Sequence, residues 1–310
     1  MTSLETTIGF TVIGGYLGTG KTTLLNHLLR HNDGRRIAVL LNDFGSINID
    51  ADLIESRVDS QISLTNGCIC CSLSDGFERA IEQLCNLQPA PQAIVVEASG
   101  VADVQRLAQY GHRPGLSLDG IIVVADAETV RAKAADKYVG ETVCSQLRCA
   151  DLIVLNKMDL LPSEACAALM TWLGRIGGAR IVATTWSQVP LEVVLGQQGV
   201  RQIPVFESVA SHDHVEQYVS WSFASDKIFQ RSAAQKFSES LPEAVIRAKG
   251  FIRVEGSELL ALQVVGRRVS LQPSAATLRS TRLVAIGRKD HLLLQSLDAV
   301  VASCLIGRDV

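Results

Sequence analysis

Eight consecutive residues constrain this chain more than any others. Gly15-Tyr-Leu-Gly18-Thr19-Gly20-Lys21-Thr22 matches the pattern G-x-x-x-x-G-K-[ST], with an apolar run at 10–13 leading in and an amphipathic stretch at 21–30 leading out. A glycine-rich loop between strand and helix curls backbone N–H groups around an anion, at a helix end whose dipole favours negative charge. Gly15, Gly18, Thr19 and Gly20 would line that cradle. Lys21 is expected to reach the β- and γ-phosphates of a nucleotide, and the Thr22 hydroxyl to coordinate Mg²⁺.

A strand–loop–helix of this kind demands a sheet to extend it, and the rest of the first 200 residues supplies one. Apolar runs at 10–13, 37–41, 93–97, 120–125, 151–156 and 180–183 read as buried strands. Helical spacing at 21–30, 75–87, 101–109 and 163–176 lies between them. This alternation predicts βαβ units and a mostly parallel sheet flanked by helices. After a polar segment near 205 the pattern changes. Strand-like runs at 215–223, 250–255, 259–265, 267–271 and 282–286 are bracketed by helices at 228–241 and 291–304. The expected fold class is therefore α/β with a smaller C-terminal α+β domain built on an antiparallel sheet. The expected domains are 1–205 and 206–310.

Asn156-Lys157-Met158-Asp159 follows directly on a buried strand. A carboxylate placed as Asp159 is can accept two hydrogen bonds, from guanine N1–H and from its exocyclic amine, a pair adenine does not offer. Asn156 can complement the O6/N7 edge, with the Lys157 stem along the ring. The expected ligand is therefore GTP or GDP rather than an adenine nucleotide. Glu97, at the tip of the 93–97 strand, is placed to hold the Mg²⁺ hydration shell or orient the attacking water. Gly100 could offer its N–H to the γ-phosphate, and Asp43 sits where a first switch loop should follow the second strand. Lys21, Glu97 and Asp43 are thus the candidate catalytic residues for GTP hydrolysis. No arginine finger is evident.

Between these segments lies Asn66-Gly67-Cys68-Ile69-Cys70-Cys71. Thiolates are soft ligands suited to Zn²⁺, Cu(I) and, less readily, Co²⁺ or Ni²⁺. In extended backbone Cys68 and Cys70 share a face, and three protein ligands leave a position open for transfer. A redox dithiol and buried core thiols are the competing readings. The other five cysteines, Cys85, Cys144, Cys149, Cys166 and Cys304, read as small buried hydrophobes. His212-Asp213-His214 reads either as a solvated loop or as an auxiliary metal entry point.

With a net charge of -3 the chain carries no electrostatic footprint for nucleic acid or an anionic membrane, so neither is an expected partner. No stretch approaches the roughly 20 apolar residues of a membrane span, and the N-terminus lacks a signal-peptide pattern, which implies a cytoplasmic protein. In that reducing compartment eight cysteines do not imply disulfides. The basic stretch Arg247-Ala-Lys249-Gly reads either as part of a client-binding surface or as a solvated strand edge.

Taken together, GGYLGTGKTTLLNHLL, NDFGSINID, TNGCICCSL, VVEASGVAD, LNKMD, RAKGFIRVEG and TRLVAIGRKD resemble the CobW-type metal-chaperone GTPases, kin of UreG and HypB. The resemblance implies a slow GTPase whose nucleotide state gates binding of a divalent metal, commonly zinc, for delivery to a metalloprotein client. It implies a phosphate loop running from Gly15 through Thr23, and it places Cys68, Cys70 and Cys71 on a C-x-C-C metal motif. Glu97 falls on the Walker-B-like glutamate, and Asn156 and Asp159 on the guanine motif. A nucleotide-regulated metal buffer and a cobalt-loading accessory protein remain as alternatives. Two departures stand out. The family's N-E-F-G-E is here Asn42-Asp43-Phe44-Gly45-Ser46, and the His-rich loop is reduced to His212 and His214.

Overall fold

The structure is a computed structural model, and it describes residues 7–42, 75–196, 218–274, 278, 280–289 and 294–304. The chain forms two compact units that part between Leu191 and Glu192. The boundary expected near residue 205 lies outside the described residues.

In the first unit, β1 (Ile8–Gly14), β2 (Ile37–Asn42), β3 (Ala93–Ala98), β4 (Leu116–Asp126), β5 (Leu152–Asn156) and β6 (Arg180–Ala183) form one sheet of order β2-β3-β1-β4-β5-β6. Every pairing is parallel. Both faces are covered, so the strands read as continuous apolar runs rather than alternating ones: β3 and β5 are buried at every position. Helices α1 (Lys21–Arg30), α2 (Asp75–Cys85), α3 (Val104–Ala108), α4 (Val130–Ala134), α5 (Gly140–Cys149) and α6 (Ser163–Gly177) connect the strands. On α1 the buried Leu24, Leu25, Leu28 and Leu29 make a single stripe at helical spacing. Because all the strands run one way, the loops that leave β1, β3, β5 and β6 gather at their carboxyl ends, where ligands of open α/β sheets sit.

In this unit two helices go beyond the elements expected from spacing. Of these, α4 is only five residues long, and the buried face of α5 combines Val143 and Leu147 with Gly140 and Gln146, an apolar stripe too thin to recognise. The helix expected from residue 101 begins instead at Val104. The Asp103 carboxylate caps it by accepting hydrogen bonds from the N–H groups of Gln105 and Arg106.

In the second unit, β7 (Tyr218–Ser225), β8 (Val245–Arg253), β9 (Leu259–Val265), β10 (Arg268–Ser274) and β11 (Thr281–Arg288) form an antiparallel sheet of order β10-β9-β8-β11-β7. Helices α8 (Arg231–Glu239) and α9 (Leu294–Cys304) contribute Phe237, Leu297 and Val301 to a core with Ala248, Ile252, Leu260, Leu262 and Leu283. Trp221 donates from Nε1 to Asp298 Oδ1 at 2.8 Å, tying β7 to α9. Preceding these, the short α7 (Leu191–Leu195) has Val193 and Val194 fully buried.

The solvated-edge reading of Arg247 is overturned. The strand begins five residues before the expected 250, at Val245, and as β8 it is paired on both sides, with β9 and β11. Arg247 is buried, and its guanidinium donates to the carbonyls of Val193 and Val194 at the carboxyl end of α7.

The scattered cysteines are less enclosed than expected. Only Cys304 is buried, while Cys85, Cys144, Cys149 and Cys166 are half-buried. Burial still pushes the Cys85 thiol up, against the lowering pull of Arg113. Among the described residues no helix is long and apolar enough to cross a membrane.

Candidate nucleotide site

Gly15, Gly18 and Gly20 all have positive φ, at 134°, 74° and 102°. That conformation is open to glycine and costly for residues with a Cβ, and it lets the chain double back after β1. The loop is braced from inside. Thr19 Oγ1 donates to the Tyr16 carbonyl at 2.9 Å, and Lys21 Nζ donates to the same oxygen at 3.3 Å. Gly20 caps α1 without any side-chain acceptor, and the first turn of the helix carries no acidic residue. The helix therefore presents its leading N–H groups and positive dipole end to the loop, the arrangement that holds a phosphate.

Thr22 stands on the first turn, and its hydroxyl donates to Glu97 Oε1 at 2.8 Å. Glu97 is buried at the end of β3, in register with Ile13 of β1 and Leu41 of β2. A hydroxyl and a carboxylate converging at this distance are hard oxygen donors that fit Mg²⁺, directly or through its waters. The neighbouring Thr23 is exposed.

Gly100 is buried beneath the phosphate loop. A Cβ there would stand 2.8 Å from the Leu17 nitrogen and 2.5 Å from Leu17 Cδ2. Its carbonyl accepts from Gln146 Nε2 at 3.2 Å, and the same amide reaches the Ala102 carbonyl at 3.2 Å. Gln146 thus holds the turn after β3 in place. Sequence reasoning missed it because a buried glutamine on a helix has no local signature.

The residues after β5 divide their tasks. Asn156 is buried and committed at both ends of its amide. Nδ2 donates to the Thr19 carbonyl at 2.9 Å, and Oδ1 accepts from the Ser187 N–H at 2.8 Å. In this structure it straps the loop after β5 to the phosphate loop. Lys157 adopts φ 63° and reaches back to Asp126 Oδ2 at 2.8 Å. Asp159 is exposed at the loop surface. Ser187, also unforeseen, completes the strap by donating from Oγ to the Gly20 carbonyl at 3.0 Å.

Burial alone would raise the Asp126 carboxyl, but the Lys157 ammonium and the Glu128 N–H outweigh it and hold the group below the ordinary carboxylate range. A carboxylate with a depressed folded pKa contributes stability that is present above its unfolded value, about 3.9, and is lost as pH falls through the folded one. The stability gap between wild type and Asp126→Asn is thus expected to be constant from neutral pH to about 5 and to close toward pH 3. Denaturant melts across that range measure it, and a gap that widens in acid would refute the assignment.

Asp43, Ser46, the cysteines Cys68, Cys70 and Cys71, and His212 and His214 lie outside the described residues. Among the described residues there is no group of three or more His, Cys, Asp or Glu that could hold a metal ion.

Comparison with known proteins places this architecture. Residues 9–182 match the family described as CobW/HypB/UreG, nucleotide-binding domain, and residues 218–305 match the Cobalamin synthesis protein cobW C-terminal domain. The chain is 30% identical to the zinc chaperone CobW of a Sinorhizobium species, over 90% of this chain and 92% of that protein. It is 31% identical to the zinc chaperone CobW of Pseudomonas aeruginosa, over 90% and 87%. To the zinc chaperone YjiA of Escherichia coli it is 37% identical, over 62% of each. Both domain matches follow one another in the order that the two sheets do, and the chain belongs to the CobW family.

Proposed function

We propose that this chain is a slow, Mg²⁺-dependent GTPase that couples GTP binding and hydrolysis to the binding and transfer of a divalent metal, zinc foremost, to a metalloprotein client. The observation that carries the catalytic half is the Thr22–Glu97 contact, which sets a phosphate-loop hydroxyl against a buried strand-tip carboxylate. Bound Mg²⁺ would neutralise charge on the β- and γ-phosphates. Around it Lys21, with the N–H groups from Gly15 to Thr23, would grip the phosphates, and Gly100 would meet the γ-phosphate. Glu97 and Asp43 would orient the attacking water. Asp159 would read the guanine edge, while Asn156 and Lys157 hold its loop.

The metal half rests on the thiolate chemistry of Cys68, Cys70 and Cys71 and on the zinc-chaperone relatives. The division into a GTPase domain, 1–205, and a C-terminal domain, 206–310, belongs to the same reading.

Because linkage is reciprocal, zinc should change GTP affinity by the factor by which GTP changes zinc affinity. Zinc titration against a competing chelator, with a non-hydrolysable GTP analogue and with GDP, is expected to give affinities differing by about tenfold. Replacing Cys68 and Cys70 with serine should remove the zinc response and leave GTP binding intact. Equal zinc affinities in both nucleotide states would defeat the coupling.

A further inference from the structure

We propose that Trp186 forms one wall of the guanine pocket, its indole stacked on a face of the base. The inference rests on the nucleotide reading above and adds a contact which that reading lacks. The chain leaves β6 and is laced at once to the base loop. The Thr184 N–H donates to the Leu155 carbonyl at 2.9 Å, and the Met158 N–H donates to the Thr184 carbonyl at 3.2 Å. Three residues on, Ser187 is fully buried, bonded to Asn156 Oδ1 and to the Gly20 carbonyl. Between these anchors Trp186 and Ser187 both take φ 52°. A left-handed backbone is rare for a residue as bulky as tryptophan, and it persists only where the surroundings over-determine it.

The outcome of this strained, well-anchored turn is a tryptophan 72% exposed to solvent, two residues past the backbone bond to the loop that carries Asp159. Glycine or asparagine would make the same turn without strain and without displaying a large apolar plane. A flat π surface carried on a turn whose backbone is bonded to the proposed base-reading loop matches the face of a purine, which every nucleobase offers and edge-reading carboxylates leave uncovered. Asp159 would then select the base by its edge, and Trp186 would supply affinity through its face.

The test measures GDP and pyrophosphate binding by calorimetry for wild type, Trp186→Ala and Trp186→Phe. Trp186→Ala is expected to weaken GDP about tenfold and to leave pyrophosphate, which has no base, unchanged. Trp186→Phe, which keeps an aromatic face, should retain most of the GDP affinity. GDP should also quench wild-type tryptophan emission and fail to quench that of the Phe variant. Unchanged GDP affinity in Trp186→Ala would overturn the proposal, as would equal losses for GDP and pyrophosphate, which would signal collapse of the strap instead. A wild-type protein that binds no GDP would overturn the nucleotide reading and this inference together.

Discussion

Replacing Gly15 by alanine is expected to destabilise the first unit by about 4 kcal/mol and to abolish nucleotide binding. Two costs combine. Gly15 sits at φ 134°, and a Cβ built on it would lie 2.2 Å from the carbonyl oxygen of Val124. That oxygen belongs to β4, which is hydrogen-bonded to β1 on one side and β5 on the other, so it cannot step aside without breaking the centre of the sheet. Gly18 is the natural control. Its φ of 74° is also left-handed, but an added Cβ would meet nothing within 4 Å. Gly18→Ala should therefore carry only the conformational strain, about 1 kcal/mol. Urea unfolding of the three proteins, with GDP binding measured alongside, separates the two costs. Equal losses at both positions would show that backbone strain alone decides, and that the close approach to β4 does not.

Replacing Arg247 by alanine is expected to weaken the second unit by about 3 kcal/mol, through lost packing and orphaned carbonyls. A guanidinium does not shed its charge in a protein, so a buried one must find acceptors. Here they are the carbonyls of Val193 and Val194, the carboxyl end of a helix, where a cation also meets the negative end of the dipole. Gly196, at φ 71°, closes this corner: a Cβ on it would stand 2.7 Å from Arg247 Nε. Arg247→Lys should recover little, because one ammonium does not reproduce the forked donors.

For a unit of roughly 100 residues, 3 kcal/mol corresponds to a fall in Tm of about 15 °C. Trp221, buried in the core of this unit, reports the transition once Trp172 and Trp186 are replaced by phenylalanine. A Tm shift of less than about 2 °C would contradict the buried-charge assignment.

The parts of this protein that announce themselves in sequence are those whose chemistry is local. The three glycines of the phosphate loop, Lys21 and Thr22 fall within eight consecutive residues, and the buried strands of a parallel sheet are short apolar runs wherever they sit. Hence β6 and the stripe of leucines on α1 are legible residue by residue, and β1 and β5 to within three residues at their ends. Helices α4 and α5 are not, since α5 buries Gly140 and Gln146 where an apolar stripe would be sought. Arg247 was equally ambiguous, because whether a basic residue on a strand meets water depends on which strands flank it.

The candidate site divides the same way. Asp159 and Glu97 are candidates because one follows an apolar strand and the other lies at the tip of one. That Glu97 meets Thr22, that Asn156 is spent strapping Thr19 to Ser187, and that Gln146 carries Gly100 are long-range facts, joining residues far apart in the chain. By itself the sequence determined the strand, glycine loop and helix at 8–30, the alternation that builds a parallel sheet, and the residue types suited to reading a guanine edge. Only the tertiary structure decided which of the polar groups are consumed as braces. A buried hydrogen-bonding group must find a partner, and in this fold the partner is most often supplied by a different strand or helix.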